Sequence, residues 1–221
     1  MDKGCSERVL ASPRAGFLHP RWALWSLLWL VLLPACGRPV PQLPPLGSDA
    51  VLLAFGDSLT FGTGARSGAS YPAQLERLTG LSVINAGVPG ELAGDGLERL
   101  EGALSEHAPQ LLILCHGGND ILRKRDDPSI QASLERMIRL SRAKGVPVLL
   151  LGVPRPALFG LEGARLYYDV AERLQLPLEG EVIAEVLSQR ELKSDQVHPN
   201  AEGYRRIAEA VVDLLQRSGA L

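Results

Sequence analysis

Cysteine is scarce in this chain. Of three cysteines in 221 residues, Cys5 and Cys36 lie in the first 36, so the remainder keeps Cys115 alone and has no internal disulfide. Its stability must come from a packed core. An excess of one charge is also missing. The formal net charge is -2, and beyond residue 36 there are 19 Lys+Arg against 23 Asp+Glu, so nucleic acid phosphates find no basic surface. No H-E-x-x-H or C-x-x-C occurs, which leaves a zinc ion without its usual ligand spacing, and neither G-x-G-x-x-G nor a Walker loop is present to cradle a nucleotide. The reading that follows needs no cofactor. No apolar run reaches the roughly 20 residues of a comfortable membrane span. What is present, 46% hydrophobic and 22% charged residues, is the composition of one globular domain with a sizeable core.

Residues 1–36 read differently from the rest. Lys3, Arg8, Arg14 and Arg21 precede "WALWSLLWLVLL", Trp22 to Leu33, which stops at Pro34. That length and those flanks belong to a signal-peptide core. The exit "LLPAC" is similar to a bacterial lipobox, in which Cys36 is lipidated and becomes the new N-terminus; an ordinary secretory signal and an uncut anchor are the alternatives. Each takes the domain out of the cytoplasm to the bacterial cell envelope. Residues 37–49, "GRPVPQLPPLGSD", hold four prolines and read as an extended tether.

Residues 50–221 alternate short apolar runs with amphipathic stretches. "VLLAFG", "LSVINAG", "LLILCHGG" and "VPVLLLGV" are Val/Ile/Leu-rich, as strands buried on both faces must be. "SYPAQLERLTG", "GDGLERLEGALSEH", "DPSIQASLERMIRLSRAKG", "ARLYYDVAERLQ" and "NAEGYRRIAEAVVDLLQRSG" have helical spacing. This rhythm predicts an α/β fold with a mainly parallel sheet between two helix layers, and its ligands bind beyond the carboxyl ends of the strands.

Chemistry-bearing residues sit at those ends. Ser58 follows the first run, Asn85 and Gly90 lie in "NAGVPGE" after the second, and Asn119 lies in "GGND" after the third; "SDQVHPNAEGY" sets Asp195 three residues before His198. Taken singly, each block reads equally well as a turn, a cap or a surface ion pair. Together they supply the parts of an acyl-transfer site. A serine hydroxyl needs a base, and imidazole suits that task near neutrality. His198 is the candidate base, and Asp195 the carboxylate that fixes its tautomer. Gly90 and Asn119 offer donors to an oxyanion beside the N–H of Ser58.

In order and spacing, "FGDSLTFG", "INAGVPGE", "GGND" and "SDQVHPNAEG" resemble the four motif blocks of the GDSL, or SGNH, hydrolases, and within them the thioesterase I, lysophospholipase and arylesterase group. The resemblance implies a flavodoxin-like three-layer sandwich. It implies Ser58 as nucleophile, Asp195 and His198 as its partners, Gly90 and Asn119 as oxyanion donors, and Asp57 and Asn85 as supporting residues. Cys115 and His116 depart from the commonest pattern. Cys115 is expected to be a small buried hydrophobe, and His116, a competing imidazole, to line the site or bond to backbone.

The expected reaction is hydrolysis of carboxylic esters, thioesters among them, through an acyl-serine. The expected substrates are lysophospholipid, lipid or aryl esters, with the membrane met through the N-terminal segment. A polysaccharide O-deacetylase of the same fold and a non-catalytic lipoprotein are the rival readings. Two loops are expected to shape the pocket. Arg123 to Arg125 either face a phosphate head group or form a solvated surface, and Leu158, Phe159 and Leu161 either receive an acyl chain or are packed loop residues.

Overall fold

A computed structural model describes Met1 and residues 40–221. In chain order the domain has β1 (Val51–Gly56), α1 (Ser58–Phe61), α2 (Tyr71–Thr79), β2 (Ser82–Gly87), α3 (Ala93–His107), β3 (Leu111–Cys115), α4 (Gly118–Leu122), α5 (Asp127–Ala143), β4 (Val148–Leu151), β5 (Pro154–Pro156), β6 (Leu161–Gly163), α6 (Arg165–Leu174), β7 (Leu178–Glu179), α7 (Val182–Ser188) and α8 (Ala201–Arg217). Five strands form one parallel sheet in the order β2-β1-β3-β4-β7, with Leu53 of β1 beside Ile84 of β2 and Leu112 of β3. Helices cover both faces, giving the three-layer α/β/α sandwich expected from the alternation. All of β3 and Leu52 to Phe55 of β1 are buried, which is why these segments are unbroken apolar runs rather than alternating ones. The strand order places β2 on one side of β1 and β3 on the other. Chain connections therefore leave in opposite directions from β1 and β3, and a crevice opens above their carboxyl ends.

Three features go beyond the sequence reading. The stretch after β4, read as a loop, contains the antiparallel hairpin β5–β6, closed by the Ala157 N–H to Gly160 carbonyl bond at 2.9 Å. β7 adds a fifth strand of two residues, too short to leave a periodic signal. Residues 40–49 hold no helix or strand, as their prolines require, yet are not free. The Leu43 and Leu46 N–H groups donate to the Ser218 and Ala220 carbonyls at 2.8 and 2.9 Å, and Leu43 is buried against the core. Apolar residues among the prolines hold this stretch against the domain, where an extended tether would be solvated. The expected signal segment and Cys36 lie outside the described residues. No described helix is long and apolar enough to cross a membrane.

Candidate active site

The site is assembled from four connections at the carboxyl edge of the sheet. Directly after β1, Asp57 caps the four-residue α1, its Oδ1 accepting the Leu59 N–H at 3.0 Å. The cap turns the chain sharply, so Ser58 begins the helix with its N–H lacking an acceptor inside that helix. Asp57 itself is buried. Burial pushes its carboxyl up from the ordinary value, against hydrogen bonds from the Leu59 and Gly118 N–H groups and attraction from His116 and His198.

His198 comes from the loop before α8. Its Nε2 lies 3.0 Å from Ser58 Oγ, and its Nδ1 lies 2.8 Å from Asp195 Oδ2. A carboxylate can only accept, so the ring proton sits on Nδ1 and the Nε2 lone pair faces the serine hydroxyl. Asp195 Oδ1 also accepts the Val197 and His198 N–H groups, each at 2.8 Å. Partial burial works to raise the Asp195 carboxyl, but the His198 side chain and the two N–H donors outweigh it and hold it below its ordinary value. The loop is pinned at both ends. Ser194 N–H donates to the His198 carbonyl, Asn200 N–H to the Leu192 carbonyl, and Asn200 Oδ1 caps α8 through the Glu202 and Gly203 N–H groups.

Gly90 and Asn119 face the same cavity as Ser58 and His198. Gly90 has φ +81°, a left-handed conformation that side chains disfavour, and its N–H makes no hydrogen bond among the described residues. Asn119 sits on α4, with Nδ2 donating to the Glu91 carbonyl at 3.0 Å. One amide hydrogen is thereby fixed and a second remains. Asn85 stands farther out. It ties the turn after α1 to β2 through the Phe61 carbonyl and Ser70 Oγ, and its Oδ1 accepts the Gly87 N–H.

Ser58, Gly90, Asn119, Asp195 and His198 are thus brought together, while Asp57 caps the start of α1 and Asn85 holds the turn that follows it. His116 does not line the cavity. It is fully buried, bonded to Glu91 and to the Gly117 N–H, so of its two expected placements it takes the backbone bond and adds a carboxylate. Cys115 is fully buried, and that burial raises its thiol well above the ordinary value, which leaves it a core residue. Glu91 and Arg99 were given no role by sequence reasoning. The adjacency of Glu91 to Gly90 was the available signal.

The cavity beside Ser58 measures about 550 Å³ and is chiefly apolar, walled by Ile121, Leu122, Val153, Pro156, Leu161 and Val197. Leu161 therefore joins it. Leu158 and Phe159, at the tip of the β5–β6 hairpin, are each 90% exposed and are neither packed nor part of the wall. Arg123, Lys124 and Arg125 follow Leu122 with exposed side chains and form no ion pair with a described residue. Among the described residues no group of three or more His, Cys, Asp or Glu is placed to hold a metal. A hydroxyl, an oriented imidazole, a carboxylate and unengaged N–H donors around one apolar cavity can attack a carbonyl and hold the resulting oxyanion.

Residues 54–206 match the GDSL-like Lipase/Acylhydrolase family. The chain belongs to that family. It is 32% identical over 174 residues to an arylesterase of Vibrio mimicus, spanning 74% of this chain and 87% of that one. It is 30% identical over 172 residues to the thioesterase 1/protease 1/lysophospholipase L1 of Escherichia coli K12, spanning 75% and 83%. The crystal structure of TesA superposes with a TM-score of 0.69 at 29% identity, covering 75% of this chain and 98% of that one. With this membership, the chain is a carboxylic ester hydrolase of the GDSL family.

Proposed function

We propose that the protein hydrolyses hydrophobic carboxylic esters, lysophospholipids foremost, through an acyl-enzyme on Ser58. The observation that carries this is the relay from Asp195 Oδ2 to His198 Nδ1 at 2.8 Å and from His198 Nε2 to Ser58 Oγ at 3.0 Å, opening on an apolar cavity. As Ser58 Oγ bonds to the carbonyl carbon, its proton passes to His198 Nε2. The carbonyl oxygen takes the negative charge and is met by the Ser58 and Gly90 N–H groups and the second Asn119 amide hydrogen. Collapse breaks the bond to the leaving alkoxide, which takes the proton from His198. Water then attacks the acyl-serine, gives its proton to His198, and the acid leaves as Ser58 Oγ is reprotonated. Asp195 steadies the imidazolium at both tetrahedral stages.

The cavity supports an acyl chain rather than an acetyl group on a sugar, because its walls offer carbon and few hydrogen bonds. The exposed Arg123, Lys124 and Arg125 next to its wall, which form no ion pair among the described residues, support a phosphate head group, and the exposed Leu158 and Phe159 at the neighbouring hairpin tip support an amphiphile. Hydrolysis of lysophospholipid, acetylated glycan and p-nitrophenyl esters by the wild type and by Ser58→Ala tests the proposal. Lysophospholipid cleavage lost in Ser58→Ala is the expected result; preference for the glycan, or equal rates in the variant, overturns it.

Export to the cell envelope and lipid anchoring at Cys36 belong to the same proposal, supported by the leader sequence alone. Metabolic incorporation of labelled fatty acid into the wild type and not into Cys36→Ala is expected, and equal incorporation contradicts it.

A further inference from the structure

The loop after β2 carries a carboxylate that takes no part in the reaction just described. The Glu91 side chain is 8% exposed and accepts three hydrogen bonds: Arg99 Nε to Oε1 at 2.6 Å, an Arg99 terminal nitrogen to Oε2 at 2.7 Å, and His116 Nε2 to Oε2 at 2.9 Å. Each partner makes further contacts of its own. The same Arg99 nitrogen donates to the Gly56 and Ala86 carbonyls, at 3.2 and 2.8 Å, at the carboxyl ends of β1 and β2, and the guanidinium lies 3.8 Å over the Phe55 ring. His116 comes just after β3. Its Nδ1 accepts the Gly117 N–H at 3.1 Å, so Nε2 carries the N–H that donates to Glu91. Helix α3 makes room for this ring, because a Cβ at Gly96 would overlap His116 Nε2. Through Arg99 and His116 the Glu91 side chain is therefore fastened to the carboxyl ends of β1, β2 and β3.

Its main chain does something else. The Glu91 carbonyl accepts one amide hydrogen of Asn119 at 3.0 Å, and Gly90, the other loop donor, is the preceding residue. An asparagine amide on a five-residue helix rotates unless one end is held. The carbonyl of a residue whose side chain is clamped to three strands holds it and leaves the second N–H for the cavity that Asn119 lines.

We infer that Glu91, clamped by Arg99 and His116, is a positioning residue that sets the Asn119 amide and the Gly90 N–H for the oxyanion. The inference rests on the acyl-serine reading above. It requires Glu91 to act through Asn119, and a double-mutant cycle reads that directly.

The cycle comprises wild type, Glu91→Ala, Asn119→Ala and the double variant, assayed on p-nitrophenyl butyrate with Ser58→Ala as control. Misplacing a catalytic group by about 1 Å costs on the order of 100-fold, so Glu91→Ala should lower kcat by about 10- to 100-fold with KM within about 2-fold. On the Asn119→Ala background the same substitution should cost only a few-fold, because one of the two donors it positions has gone and only the Gly90 N–H is left to misplace. Equal penalties in the two backgrounds overturn the inference. If Glu91→Ala does not fold, His116→Leu against His116→Gln decides it: the glutamine keeps a donor toward Glu91 and should restore most of the kcat lost in the leucine variant. Equal kcat in these two overturns it. Full activity of Ser58→Ala would instead remove the acyl-serine reading and, with it, the oxyanion that Glu91 is inferred to serve.

Discussion

An acyl chain lengthened one methylene at a time probes the cavity next to Ser58. From acetyl to hexanoyl, four methylenes are added. A space of about 550 Å³ walled by Ile121, Leu122, Val153, Pro156, Leu161 and Val197 is large enough to take all four. A fully buried methylene contributes about 0.8 kcal/mol, so four contribute about 3.2 kcal/mol, or roughly 200-fold in kcat/KM. The cavity is open at its mouth, where Leu122 is 59% exposed. Halving the burial on that account still leaves about 1.6 kcal/mol, roughly 15-fold. The p-nitrophenyl ester series, followed by phenolate release below KM, should therefore rise by between about 15- and 200-fold from acetyl to hexanoyl. Leu161→Asn, which puts an amide in the wall, should narrow that ratio. A profile that is flat or falls from acetyl onward would refute the assignment of this cavity to the acyl group and would favour the acetylated-glycan reading.

Two further outcomes follow from the hydrogen bonds. Asp195→Asn leaves the shape but offers His198 Nδ1 an amide that stabilises the wrong tautomer, so kcat should fall by about 100- to 10,000-fold while ester binding, read as inhibition by a non-hydrolysable analogue, stays near wild type. Burial works to raise the Glu91 carboxyl, but bonds from His116 and Arg99 more than offset it and hold it below the ordinary value. A carboxyl lower in the folded than in the unfolded chain contributes stability above its unfolded pKa and loses it as pH falls through the folded value. Chemical denaturation of Glu91→Gln from pH 7 to pH 3 should thus show a shallower acid-side decline than wild type; parallel declines would contradict the clamp.

Much of this arrangement was legible in the residues, because its determinants are local. Leu111 to Cys115 is apolar throughout because the strand is covered on both faces, and Asp195 reaches His198 within its own four-residue turn. The hairpin was not legible, since its strands Pro154–Pro156 and Leu161–Gly163 contain two prolines and a glycine and alternate nothing. The Glu91 clamp was hidden for a different reason. Its partners lie 8 and 25 residues away in separate parts of the fold, and no spacing rule links a loop glutamate to an arginine of α3 and a histidine just after β3. Residues 40–49 misled because proline content reports that a stretch avoids helix and sheet, and says nothing of whether Leu43 packs on a neighbour.

The proposed reaction needs the Ser58 hydroxyl as its nucleophile, activated by His198 Nε2 at 3.0 Å. A p-nitrophenyl alkylphosphonate tests it most directly: Ser58 Oγ should displace one p-nitrophenolate from phosphorus and leave a stable ester. Intact-mass and peptide mass spectrometry should find one phosphonyl group per chain, on the peptide containing Ser58, formed far more slowly in His198→Ala and not at all in Ser58→Ala. Labelling of another residue with loss of activity, or labelling of Ser58 at the same rate without His198, would contradict it.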